Sequence, residues 1–189
     1  MATALAVDPL IQQLMEADGK AEIVNGQIVH LSPAGGKPSY AAGRIAVALS
    51  LCEADMGIAF GSNAGFLCDL PNRKSFSPDA AFYVGPEPEM GFLPHPPVFA
   101  VEVRSENDYG PQAEREMAQK RADYFAAGTL VVWDVDLQNE EVIAKYTAQD
   151  QVRPQIFKRG EEADAEPAVA GWKIVVDTLF APDEGVLFR

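Results

Sequence analysis

The sequence predicts an α/β (α+β) fold in which a central mixed β-sheet is flanked by helices. Three observations carry that prediction. Helix-like and strand-like segments alternate along the chain, with a helical segment at 113–127 set between strongly β-prone runs. The run at 98–103 places apolar residues on both of its faces, as a strand covered on both sides does. Asn25-Gly26 joins two short apolar segments in the manner of a two-residue hairpin. With 189 residues the chain can bury a substantial core, and it is read as one domain, 1–189, with an N-terminal helix and hairpin at 8–31 and a core at 39–181.

Each element has its own signal. Asp8 suits a helix N-cap and Pro9 the first helical position, with Leu10, Ile11, Leu14 and Met15 as the apolar face and Gly19 as the stop. Glu22-Ile23-Val24 and the segment 27–31 flank the Asn25-Gly26 turn. After the Ser32-Pro33-Ala34-Gly35-Gly36 loop, Ser39 is expected to cap a second helix. Its inner face carries Ile45, Ala48, Leu49, Cys52 and Met56, and Gly57 ends it. Residues 59–70 read as one or two strands, Pro71-Asn72-Arg73-Lys74 as a turn, and 79–84 and 98–103 as strands. The loop between the last two carries Pro86, Pro88, Pro94, Pro96 and Pro97. A helix over 113–127 stopped by Gly128, a strand at 129–136, and strands at 141–147 and within 172–180 complete the chain. Trp133 and Trp172 are expected as core anchors, and the acidic run 161–166 as a solvated loop.

Composition bounds the function. At 48% hydrophobic and 23% charged the chain is ordinary for a soluble protein. No apolar stretch approaches the ~20 residues that span a membrane, and the first residues lack a signal-like pattern. Two cysteines make neither a disulfide framework nor a zinc set, so a cytoplasmic location is expected. A net charge of −13 argues against non-specific coating of nucleic acid, though it says nothing of a local groove.

Two carboxylates stand where a core should have none. Asp79 opens the run Ala80-Ala81-Phe82-Tyr83-Val84, and Glu102 lies within Phe99-Ala100-Val101-Glu102-Val103. A buried charge must be paired or hold a metal. Val98, Ala100, Glu102 and Arg104 share one strand face. At about 100° per residue, Ala113, Met117, Lys120 and Tyr124 form a narrow helical stripe, which turns Lys120 inward. The residues alone leave alternatives open. Asp79 also suits a Ser-Pro-Asp turn, Glu102 a structural ion pair with Arg104 or Lys120, and Lys120 an ammonium that snorkels to solvent.

Ser77-Pro78-Asp79-Ala80-Ala81, Val101-Glu102-Val103-Arg104-Ser105, the segment 120–128 and Val131-Val132-Trp133-Asp134-Val135-Asp136 together resemble the Uma-two family of restriction endonucleases, within the PD-(D/E)XK nuclease superfamily. Glu22-Ile23-Val24-Asn25-Gly26 and Ala170-Gly171-Trp172-Lys173 add to the likeness. The resemblance implies a restriction-endonuclease-like core and a Mg2+ (or Mn2+) dependent endonuclease acting on DNA, often as a homodimer. Asp79 and Glu102 would hold the ion, with the Val103 backbone carbonyl. Arg104 occupies the motif's lysine slot and cannot give up a proton, so Lys120 would supply the lysine from the helix. Glu22 matches the early acidic residue. The alternative is a nuclease fold without catalysis that serves as a binding or accessory protein; a third possibility is a phosphodiesterase acting on RNA or a nucleotide.

Overall fold

The computed structural model describes residues 8–52 and 57–181. Asp8 caps the first helix, α1 (Pro9–Met15), its carboxylate accepting the Leu10 N–H at 2.9 Å. Leu14 is buried beneath α1, whereas Met15 faces solvent. Gly19, at φ +78°, turns the chain into an antiparallel hairpin of β1 (Ala21–Val24) and β2 (Gln27–His30). Asn25 and Gly26 take φ of +50° and +72°, the left-handed pair that a tight hairpin turn requires. The other edge of β1 is stitched to residues 72–75. Ile23 donates its N–H to the Ser75 hydroxyl and accepts the Lys74 N–H, and Asn25 donates to the Asn72 carbonyl.

The second helix, α2 (Gly36–Ser50), starts before the expected cap at Ser39. Pro38 needs no N–H partner in a first turn, so the helix begins ahead of it, and Ser39 lies inside with its hydroxyl on the Ala34 carbonyl. Ile45 and Leu49 are buried as expected; Met56 lies outside the described residues.

The remaining strands are β3 (Ile58–Phe60), β4 (Phe66–Leu67), β5 (Ser75–Phe76), β6 (Ala80–Tyr83), β7 (Phe99–Val103), β8 (Val131–Val135), β9 (Ile143–Thr147) and β10 (Gln155–Phe157), with α3 (Pro111–Ala126) between β7 and β8. Six of them form a mixed sheet in the order β10-β9-β8-β7-β6-β3. Only β7 and β8 run parallel, with Glu102 opposite Asp134, and α3 is their crossover. This is the expected fold class.

The strand alternation separates two cores. Phe99, Val101, Val103, Val131, Trp133 and Val135 pack with Ile45 and Leu49 of α2 and with Trp172. The Trp133 ring lies 5.1 Å from Phe99 and 5.5 Å from Trp172 between centroids, so both tryptophans anchor the core. On the opposite face Ala100 and Val132 meet Tyr124 and Phe125 of α3, together with Phe66 and Phe76. Val98, expected on the Glu102 face, packs instead into the first core, because the strand begins only at Phe99.

A further expectation fails. The acidic run 161–166 is no solvated loop: it contains β11 (Glu162–Asp164), paired antiparallel with β12 (Lys173–Val175) ahead of a short 3-10 turn (Val176–Leu179). Glu162, Asp164 and Glu166 alternate with Ala163 and Ala165, both of which are fully buried. The charges mask a period of two. Asp164 also holds the Lys145 ammonium of β9 at 2.5 Å, so one of the run's charges is structural. Among the described residues no helix is long and apolar enough to cross a membrane.

The buried alternation predicts opposite outcomes at adjacent positions. Ala163→Asp inserts an unpaired charge into the core and should cost about 3 kcal/mol or more, whereas Glu162→Lys should stay within about 0.5 kcal/mol. Urea unfolding of the two variants checks this.

Candidate active site

Four segments bring charge to one place: the chain entering β1, the link from β5 to β6, the end of β7, and α3. The centre is Lys120. Its ammonium sits 2.8 Å from Glu102 Oε1 and 2.9 Å from Glu22 Oε1. The Tyr124 hydroxyl, one helical turn on, donates to the same Glu102 oxygen at 2.7 Å. Glu22 points inward from β1 and is almost wholly buried. It also accepts the Ser77 N–H at 2.8 Å and the Arg73 guanidinium at 2.5 Å. Arg73 in turn donates to Asp123 of α3, which Asn72 and Gln119 also serve. Asp79, just ahead of β6, accepts the Val103 N–H on Oδ2 at 2.8 Å and the Lys20 ammonium on Oδ1 at 2.7 Å.

The charges fix each group's state. Burial alone would raise the Glu22 carboxyl, but Lys120 and Arg73, with the Ser77 N–H, outweigh it and hold Glu22 below the usual carboxylate range. Glu102 goes the other way. Burial and the neighbouring Asp79 charge push it up against the pull of Lys120. Burial works against the Lys120 cation, yet Glu102 and Glu22 more than offset that and raise it, so Lys120 stays protonated. Burial and the flanking Glu102 and Glu22 raise Tyr124, which remains a donor.

The structure therefore joins Glu102, Lys120 and Glu22 by direct ion pairs and sets Asp79 beside them, bonded to the Val103 N–H and near enough for its charge to act on Glu102. Arg104 is held apart: it grips Asp134 through two hydrogen bonds of 2.8 and 2.9 Å and also engages Glu114 of α3, and takes neither Asp79 nor Glu102 as a partner. Val103 addresses Asp79 through its N–H. Among the described residues, no hydrogen bond reaches Glu102 Oε2, while Oε1 takes two. Asp79 and Glu102 are the hard oxygen donors that could share a cation. No group of three or more His, Cys, Asp or Glu side chains is arranged to hold one among the described residues.

Sequence reasoning missed several members. Asp134 carries the same signal as Glu102, a charge within an apolar strand, and could have been found. Tyr124 was legible as helix packing, and it does stack on Phe76 with centroids 4.1 Å apart; its hydroxyl role was not legible. Lys20, Arg73 and Asp123 carry no local signal, because turn and helix positions are ordinary places for charge.

Comparison with known proteins gives a consistent picture. Residues 8–177 match the Uma2 family model, described as "Putative restriction endonuclease". A crystal structure of "a putative nuclease belonging to DUF820" from Anabaena variabilis superposes with a TM-score of 0.70 at 15% identity, covering 90% of this chain and 96% of that one. At that identity the likeness is one of fold. No curated protein matches.

The network predicts a pH signature. Glu22→Gln leaves Arg73 and Lys120 short of a buried charge and should cost about 3 kcal/mol at pH 7. Because the folded Glu22 carboxyl lies below its unfolded value, that deficit is complete above about pH 5 and shrinks as the pH falls through the folded value. Glu102, raised on folding, has the opposite sign: its contribution declines as the pH rises from the unfolded to the folded value. Glu102→Gln should therefore cost less than Glu22→Gln at pH 7. Urea midpoints measured from pH 3 to pH 8 test both.

Proposed function

The chain belongs to the Uma2 family, and from that membership and the converging carboxylates we propose that it is a metal-dependent endonuclease hydrolysing phosphodiester bonds in DNA. The observation that carries the proposal is that Asp79 is bonded to the Val103 N–H, next to Glu102 on the same strand, while Glu102 pairs with a lysine that a second acid also holds. Two carboxylates suffice for magnesium or manganese, since such ions keep waters and take further oxygens from substrate phosphate. The unclaimed Glu102 Oε2 and Asp79 are the proposed ligands, with the Val103 carbonyl as a third oxygen. A bound ion supplies an acidified water and polarises a phosphate.

The protein's own residues do the rest. Lys120 cannot accept a proton while it is held between Glu22 and Glu102, so its contribution is charge. It stands where negative charge accumulates on a phosphate under attack and offsets it. Tyr124 and Lys120 both fasten Glu102 Oε1, which fixes the orientation of that carboxylate. Glu22 positions Lys120 and touches no reacting atom. Arg104 supports the scaffold through Asp134 and Glu114. One site cuts one strand, so cleavage of a duplex calls for two copies, and a homodimer is the proposed working form. The two cysteines are free thiols, which suits the cytoplasm.

The net charge of −13 and the ion pairs within the site favour a second reading, a binding or accessory module without catalysis. A nuclease assay on DNA with Mg2+ or Mn2+ separates the two. Asp79→Asn and Glu102→Gln should abolish cleavage, and Lys120→Met should lower it by about two to three orders of magnitude. Activity surviving in both carboxylate variants would refute the assignment; inactivity of the wild type with both metals and both single- and double-stranded DNA would favour the second reading.

A further inference from the structure

Lys20 has no part in the chemistry above, yet its placement is specific. It follows the turn at Gly19, and its carbonyl accepts the Leu31 N–H at 2.8 Å, so the hairpin holds its main chain. The side chain is held at one point: the ammonium meets Asp79 Oδ1 at 2.7 Å, and both side chains are 15% exposed. Among the described residues it pairs with no other carboxylate. This contrasts with Lys120, clamped by two acids. Beside Lys20 lies a cavity of about 80 Å3, lined also by Met15, Asn63, Gly65, Ser77 and Phe92. That is room for an ammonium group and a water.

Lys20 occupies the Asp79 oxygen that a divalent ion needs. The other oxygen is turned to the Val103 N–H, so rotating the carboxylate to serve both cations would break that bond. An ammonium and a divalent ion cannot both sit at contact distance from one oxygen without strong mutual repulsion. We propose that Lys20 is an exchangeable counter-ion of Asp79: it neutralises the carboxylate before the ion arrives, withdraws towards the neighbouring cavity when a divalent ion binds, and sets by competition how much free ion the site requires. This rests on Asp79 and Glu102 being ion ligands. It makes Lys20 a positioning residue that tunes the site.

Mn2+ binding to the full chain, measured by titration calorimetry without nucleic acid, tests it. Lys20→Met should bind Mn2+ roughly five- to tenfold more tightly than the wild type, the gain expected from removing one partly buried competing charge. Lys20→Gln should behave in the same way, giving a second neutral variant should the first fold poorly. Lys20→Arg keeps the charge and should stay near the wild type, and Asp79→Asn should abolish binding. Thermal unfolding supplies a second readout: Lys20→Met should be less stable than the wild type without Mn2+ and should gain more from its addition. A purely structural ion pair would give the loss without the gain. If both neutral variants bind no more tightly than the wild type while Asp79→Asn abolishes binding, this proposal falls and the metal site stands. If no form of the chain binds Mn2+, both fall.

Discussion

Lys120 stands between Glu22 and Glu102, and the arrangement of β1, β7 and α3 depends on keeping it there. A lysine so placed is costly unless both acids reach it, since burial opposes its charge. Glu22 can reach only because the hairpin is bonded along its edge to residues 72–75, and that edge also delivers Arg73 to the second Glu22 oxygen. Arg73 then ties to Asp123, three residues beyond Lys120 on the same helix. Hairpin and helix are thus joined through two parallel ion pairs, which fixes the depth at which α3 lies on the sheet. Tyr124 is set by the same placement, with its ring on Phe76 and its hydroxyl on Glu102.

A second polar cluster runs beside the first without mixing with it. Arg104, just past β7, and Arg121 of α3 share Asp134 of β8, and Glu114 closes the set on Arg104. The parallel register that puts Glu102 opposite Asp134 gives each neighbouring strand one inward acid on the α3 face, Asp134 buried and Glu102 half-buried. Lys120 serves one and Arg121 the other, adjacent residues pointing to adjacent strands. The fixed-charge arginines hold the crossover, which leaves the lysines for the open acid pair. Arginine suits that division, because its planar fork grips a carboxylate through two hydrogen bonds and it never loses its proton.

What could be read in the sequence follows from the range of the interactions. Asp79, Glu102 and Lys120 declared themselves because charge interrupts apolar strand or helix patterns, a contrast visible within a few residues. The hairpin was legible because Asn25-Gly26 fixes its own backbone. The strand at Glu162–Asp164 was hidden for the converse reason: its buried positions are small alanines, so charge dominated the pattern. Lys20, Arg73 and Asp123 act through partners 50 or more residues away in sequence, and nothing local distinguishes them from solvated charges. Arg104 was visible, but its partners were not; Asp134 lies 30 residues on and Glu114 on the helix between.

The acidity of the chain bears on how such a site could meet DNA. A protein of net charge −13 repels a polyanion at long range, and its lysines at the site are bound to its own carboxylates. On the proposed reading, loading one divalent ion would add two positive charges to a cluster whose lysines already balance Asp79 and Glu102. The ion would neutralise Asp79 and Glu102, and the Lys20 ammonium would be released from Asp79 towards the neighbouring cavity. The site would then be more attractive to phosphate with the ion than without it. Linkage requires the converse as well, that phosphate at the mouth favours the loaded form by the same free energy. On that reading an exchangeable lysine on Asp79 would couple substrate affinity to metal occupancy, and the general acidity of the chain would suppress binding to nucleic acid while the site holds no metal.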